Sequence, residues 1–131
     1  MIVCDTSFLI AFLEPSDFHH ATAVAILTAH STEQLVIHPI NLAELFVGAR
    51  SDAEADSLAD FLAQNLRLEI LTLEASHARQ LGRMRRETGL KLPDCCAVVA
   101  AAQRSASVVT FDERQAKVAR DLGLTVLTDA D

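Results

Sequence analysis

Residues 2–13 read IVCDTSFLIAFL, and the fold follows from how this stretch is divided. Ile2-Val3-Cys4 is a short, unbroken apolar run, the pattern of a strand buried on both faces. Asp5 ends it. Thr6 to Leu13 then read as a helix, stopped near Pro15. The same strand-then-helix unit recurs outward along the chain. Asp17 is placed to cap a helix reaching about Ala29. Leu35-Val36-Ile37 is a second buried strand, closed by Pro39, and Asn41 opens a helix that carries Glu44 and ends near Gly48. Ser51 and Glu54 make a capping box for a helix over about 52–66. Arg67 to Leu73 alternate as a strand, and a helix from about Glu74 to Thr88 is stopped by Gly89. Pro93 and Asp94 start an alanine-rich helix to about Ser105, Ser107–Thr110 is a strand, Glu113–Leu122 a helix stopped by Gly123, and Leu124–Leu127 a last strand. Short apolar strands alternating with helices predict an α/β fold with a five-stranded, mainly parallel sheet covered by helices on both faces. With 131 residues, the chain is expected to form one domain, 1–131.

Composition narrows the class. Half of the residues are apolar and 22% are charged, as in an ordinary globular protein. No apolar run approaches the roughly 20 residues of a membrane span. The N-terminus lacks a basic segment and carries Asp5 within its apolar stretch, unlike a secretory signal. Three cysteines, an odd number, point to a reduced, cytoplasmic protein. The net charge of −7 runs against a nucleic-acid binder. Basic residues are nonetheless concentrated: Arg79, Arg83, Arg85, Arg86 and Lys91 stand together against a single acid, Glu87. Arg79, Arg83 and Arg86 share one helix face, where they and Lys91 are candidates to hold an RNA backbone; a solvated face is the ordinary alternative.

In an open parallel sheet, ligands bind beyond the carboxyl ends of the strands. Asp5 ends the first strand, and Asp112 lies two residues past the strand 107–110. Glu44 and Asp94 fall in or near the first turns of their helices. Strand ends and helix N-termini can share one rim of such a sheet, where four carboxylates would repel one another unless a cation joined them. Mg²⁺ takes oxygen ligands and is often held by few protein groups. Two ions roughly 3.5–4 Å apart can stabilise both the attacking and the leaving oxygen of a phosphodiester displacement. Each acid also has a purely structural reading. Glu44 could close a capping box with Asn41, and Asp94 and Asp112 could be first-turn acids favoured by the helix dipole. Asp5 resists such a reading, because an acid ending a buried strand is costly without a partner. Thr6, Ser7 and Thr110 adjoin these acids and could fix their rotamers or serve as caps.

The segments IVCDTSFLIAFL, NLAELFVGAR, GLKLPDCCAVVAAA and VVTFDERQAKVARDLGL, in this order over the whole chain, resemble the PIN-domain family and within it the VapC-type toxins of bacterial toxin–antitoxin pairs. The resemblance implies a three-layer α/β/α sandwich. It implies that Asp5, Glu44, Asp94 and Asp112 are the four acids of a metal site holding one or two Mg²⁺ or Mn²⁺ ions and carrying the catalysis. It further implies endoribonuclease activity on RNA, a homodimer, and a cognate antitoxin protein as partner. After the fourth acid, members of the family often carry a basic residue, then an acid and an aromatic. Here Glu113, Arg114 and Gln115 follow, which leaves Asp112 the least secure of the four. Cys95 and Cys96 stand where small or hydroxyl residues are commoner.

The remaining features carry weaker signals. His19 and His20 are adjacent on a helix and point about 100° apart; His30, His38 and His77 are scattered, and none has zinc-like spacing with the cysteines. The cysteines read as small core residues. Phe8, Leu9, Phe12, Leu13, Leu42, Leu45 and Phe46 read mainly as core, with a dimer seam or an antitoxin groove as the alternative. A phosphatase with Asp5 as nucleophile would want a second acid at position 7, where Ser7 stands. A phosphorylatable receiver domain would want an acidic pair at the first strand end and a late lysine after a strand, and has neither here. The non-enzyme alternative is a catalytically silent PIN-like module that binds metal or protein.

Overall fold

The computed structural model describes residues 1–128. Five strands, β1 (Ile2–Cys4), β2 (Leu35–Ile37), β3 (Glu69–Ile70), β4 (Ser107–Val109) and β5 (Val126–Leu127), lie in the order β3-β2-β1-β4-β5, and every pairing is parallel. β1 is central. Val3 lies level with Val36 on one side and Val108 on the other. The chain leaves β1 toward β2 and returns to β1's other edge only at β4, so the strand order reverses at β1. This is the topological switch point where parallel sheets bind ligands.

Seven helices cover the sheet: α1 (Thr6–Leu13), α2 (His20–Ala29), α3 (Pro39–Val47), α4 (Asp52–Leu66), α5 (Ser76–Thr88), α6 (Leu92–Arg104) and α7 (Glu113–Asp121). Strand periodicity sorts them into two layers, because successive side chains face opposite ways. Ile2, Cys4, Leu35, Ile37 and Val109 join a core with Phe8, Leu9, Ile26, Leu45 and Leu62 of α1–α4. Val3, Val36 and Val108 join a second core with Ala97, Val98, Ala101 and Ala119, against which Met84 also packs. The three-layer arrangement follows. Alanines along α6 let that helix sit close on the sheet, and seven consecutive residues, Cys95–Ala101, are buried. Phe12, Leu13 and Phe46 pack partly buried against the first core, so most of the apolar helix faces are spent inside the molecule.

Several boundaries differ from the sequence reading. α2 begins at His20, because the Asp17 carboxylate accepts from His19 N (2.8 Å) in a turn ahead of the helix. α3 begins at Pro39, two residues before Asn41: His38 caps it, its Nδ1 accepting from Ile40 N, and Pro39 is pre-set for a first helical position. Asn41 therefore lies inside the helix and is not its cap. β3 shrinks to two exposed residues at the sheet edge. All three cysteines are buried and unpaired. Among the described residues no helix is long and apolar enough to cross a membrane.

Candidate active site

Asp5 stands where β1 becomes α1, and its backbone N donates to Val109 O (3.0 Å), which fixes the strand end against β4. The residue is 5% exposed and its carboxylate is fully engaged. Oδ2 accepts from Ser7 N (3.2 Å), from Ser7 Oγ (2.7 Å) and from Thr110 Oγ1 (3.1 Å), while Oδ1 accepts from Gln115 Nε2 (3.3 Å). The buried charge that the sequence could not explain is thus met by four donors, and one of them makes Asp5 the N-cap of α1.

Glu44 projects from α3. Its Oε1 accepts from Thr6 Oγ1 (2.9 Å) and Asn41 Nδ2 (3.2 Å). Thr6 therefore serves Glu44 and not its neighbour Asp5. The spacing of Asn41 and Glu44 reflects a side-chain pair inside α3 and no capping box. The second hydrogen of Asn41 Nδ2 goes to Pro93 O (2.9 Å), tying α3 to the start of α6 just ahead of Asp94. Asn41 Oδ1 is buried, with no hydrogen-bond partner among the described residues.

Asp112 caps α7, with Oδ1 accepting from Gln115 N (3.0 Å), and its own N–H donates to Thr110 Oγ1 (3.0 Å). The structural reading of Asp112 as a helix-start acid is correct as far as it goes. Capping occupies one oxygen only. Asp94, in the first turn of α6, differs from the other three: among the described residues no group donates to its carboxylate. Its affinity for a proton is raised, first by burial, then by the negative charges of Asp112, Asp5 and Glu44, with Lys91 pulling weakly the other way. The four acids, drawn from four separate segments, therefore share one electrostatic field.

Gln115 is the residue the sequence reading missed. It is completely buried, and its amide joins the elements of the site. Nε2 donates to Asp5 Oδ1 and to Asp94 O (2.8 Å), and Oε1 lies 2.8 Å from Thr110 Oγ1, whose one hydroxyl hydrogen is shared between it and Asp5 Oδ2. A polar amide on the same helix face as the buried Ala116 and Ala119 is the signal that marks it. Arg79, Arg83 and Arg86 are exposed on α5, and Lys91 is exposed just before α6. His38 and His77, scattered in sequence, meet in space: their Nε2 atoms are 2.8 Å apart and both rings are buried.

Whether these residues suit a divalent cation turns on the donor set. Among the described residues no three carboxylate, imidazole or thiol groups converge tightly enough to cage an ion by themselves. The donors that remain are hard oxygens of like charge, and the Asp94 carboxylate, Glu44 Oε2 and Asp112 Oδ2 have no described hydrogen-bond donor. That fits Mg²⁺ or Mn²⁺, which take a few carboxylate oxygens and complete their shell with water or phosphate.

Comparison with known proteins places this architecture. No curated protein matches the sequence. Among solved structures, a toxin–antitoxin complex from Klebsiella pneumoniae superimposes with a TM-score of 0.75 at 22% identity, covering 98% of this chain and 97% of that one. VapC20 of Mycobacterium tuberculosis, described as a sarcin–ricin loop cleaving toxin, gives 0.72 at 18% identity over 90% and 95% of the two chains. VapBC2 from Rickettsia felis, bound to a DNA fragment from its promoter, gives 0.70 at 23% identity over 97% and 98%. These similarities share the fold. The family model for the PIN domain matches residues 2–121, nearly the whole described chain, and the protein belongs to the PIN domain family.

Proposed function

We propose that this chain is a divalent-metal-dependent endoribonuclease and the toxin of a VapBC-type toxin–antitoxin system, with Asp5, Glu44, Asp94 and Asp112 as its metal-holding and catalytic acids. The observation that carries the reading is Asp94: a carboxylate with no described donor, made harder to ionise by three neighbouring carboxylates. Such an arrangement opposes folding unless something positive occupies it. The family supports nuclease chemistry. Toxins and toxin–antitoxin complexes among the structural relatives support the biological role and an antitoxin partner; a homodimer is part of the same proposal.

When bound, Mg²⁺ or Mn²⁺ would supply Lewis-acid charge to a scissile phosphodiester. The protein's own residues do the positioning. Ser7, Thr110 and Gln115 lock the Asp5 carboxylate. Thr6 and Asn41 turn Glu44 so that Oε2 is left open, and the Gln115 N–H does the same for Asp112 Oδ2. The open oxygens of Glu44 and Asp94 are the acceptors available to the hydrogen of an attacking water. Arg79, Arg83, Arg86 and Lys91 would hold the RNA backbone.

The test is cleavage of mixed RNA by wild type, Asp5→Asn and Asp94→Asn with Mg²⁺ or Mn²⁺, with and without EDTA. We expect wild type to cut, EDTA to stop it, and each variant to lose at least about a hundredfold while staying folded. Equal cutting by all three proteins defeats the reading, because it identifies a contaminant. No cutting by any of them, with no binding of Mn²⁺, leaves a silent protein-binding module.

A further inference from the structure

A second feature adjoins the carboxylates on the Asp112 side. A cavity of about 490 Å³ there is lined by His19, Thr110, Phe111, Asp112, Glu113 and Arg120, among others. Its aromatic wall is the upper part of a ladder of rings that climbs from the core to solvent. Phe8 is fully buried in the first core. The Phe111 ring stands 6.1 Å from it, tilted by 36°. His19 lies flat on Phe111, with centroids 4.3 Å apart and planes 3° from parallel. Phe18 meets His19 edge-on at 5.0 Å, and is 93% exposed.

One exposed phenylalanine carries no meaning by itself. Here the exposure is imposed by the turn between α1 and α2. Asp17 N donates to Glu14 O (2.9 Å), the Asp17 carboxylate accepts from His19 N, and His20 N donates to Asp17 O (3.0 Å). His20 Nδ1 also sits 2.8 Å from Ala11 O. These bonds hold Phe18 outward on a tied loop and lay His19 on Phe111. The wall therefore offers an aromatic face, Asp112 and Glu113 place carboxylates in the cavity, and Arg120 supplies its cation. A flat π surface beside a cation matches a nucleotide, whose base stacks while its phosphate pairs.

Resting on the nuclease reading above, we infer that Phe18 and His19, backed by Phe111, form a stacking site for an unpaired RNA base flanking the bond to be cut, with Arg120 facing the adjoining phosphate. The site selects single-stranded RNA, since a base paired within a duplex cannot present its face to the wall. It prefers a π surface over a merely apolar one, so leucine at position 18 does not substitute for phenylalanine.

The chain contains neither tryptophan nor tyrosine, so Phe18→Trp installs a single fluorophore at the tip of the ladder. In an Asp94→Asn background without divalent metal, a short single-stranded oligoadenylate is expected to quench that emission saturably, and a duplex of the same length to leave it unchanged. In the same background Phe18→Ala is expected to weaken single-strand binding by about five- to a hundredfold, Phe18→Leu to behave like the alanine variant, and Phe18→Tyr to retain binding. Phe18 touches little of the core, so equal melting temperatures check that folding is intact. Unchanged RNA affinity in Phe18→Ala overturns the inference. So does emission that responds to protein concentration and oligomer mass but not to RNA, which would assign the loop to a contact between proteins. Its failure is separable from that of the nuclease reading. If wild type cuts RNA and Phe18→Ala cuts identically, only the stacking site is lost. If RNA binds through Phe18 but is never cut with Mn²⁺, only the nuclease assignment is lost.

Discussion

Asp94, the carboxylate proposed above to hold metal, sets stability against that proposed role. Its carboxyl binds a proton more readily in the folded chain than in the unfolded one, through burial and three like charges. The sign follows from linkage: the metal-free protein loses stability as pH rises from the ordinary carboxylate range through Asp94's raised value, and above that value the penalty is complete. Asp94→Asn is therefore expected to raise the melting temperature of the EDTA-treated protein by a few degrees at neutral pH. It should also abolish the stabilisation that Mn²⁺ gives wild type, which at a hundred times the dissociation constant is about 2.7 kcal/mol. Thermal unfolding with EDTA and with Mn²⁺ checks both. A variant less stable than wild type in EDTA would mean that Asp94 is structural. Asp5 stood out along the chain because a charge at the end of a buried strand has few explanations, whereas Glu44, Asp94 and Asp112 each had a structural reading beside the functional one. Gln115 did not stand out. Along the chain it is one polar residue on a charged helix, and its role exists only because Asp5, Thr110 and the Asp94 carbonyl arrive around it from elsewhere.

At the level of elements, most of the strands and helices could be read from periodicity, since two faces of burial leave a plain pattern in β1, β2 and β4. What escaped was local chemistry at the ends. Asp17 spends its carboxylate on a turn, and His38 does the capping usually done by serine or aspartate. The cap is also a joint. His38 Nδ1 accepts from Ile40, so its Nε2 carries the hydrogen and donates to His77 Nε2, which pins the start of α3 to α5 with two neutral rings. Burial, then His77, lowers the pKa of His38 from 6.5 to about 4. The unfolded chain takes up this proton first as pH falls, so stability declines between about pH 6.5 and 4, by on the order of 3 kcal/mol from this residue. Urea unfolding across that range should show the decline in wild type and a flatter profile in His38→Asn; equal slopes would show that the pair is not the sensor. α5 offers a second test. Arg85 is occupied with Gly89 O and Leu90 O at the helix end. Arg79, Arg83 and Arg86 face solvent. Replacing those three with alanine is expected to weaken RNA binding alike for all sequences and to reduce the salt slope by about 0.7 per lost phosphate contact. Titrations at several salt concentrations read this out, and an unchanged slope would return α5 to being an ordinary solvated face.

For the molecule as a whole, four of the eighteen acids stand near the switch point and the rest are spread along the chain, α4 alone holding Asp52, Glu54, Asp56 and Asp60, while arginines concentrate along α5. The thiols report on how firmly the whole is closed. Cys4, Cys95 and Cys96 are at most 1% exposed. Burial raises all three pKa values, that of Cys96 to about 12 and with smaller help from nearby negative charge, so thiolate is scarce at neutral pH. Labelling by a thiol reagent is expected to proceed only through global unfolding, with a protection free energy equal to that from urea unfolding. Faster labelling of one cysteine would reveal a local opening at that point. The central place of β1 bears on synthesis. β1 is made before β4 and waits for it before its second edge is covered, and Asp5 waits longer still, for Thr110 and Gln115. A chain that stops short of those residues leaves only Ser7 on the Asp5 carboxylate, so the acid is fully held only after β4 and the start of α7 have been made.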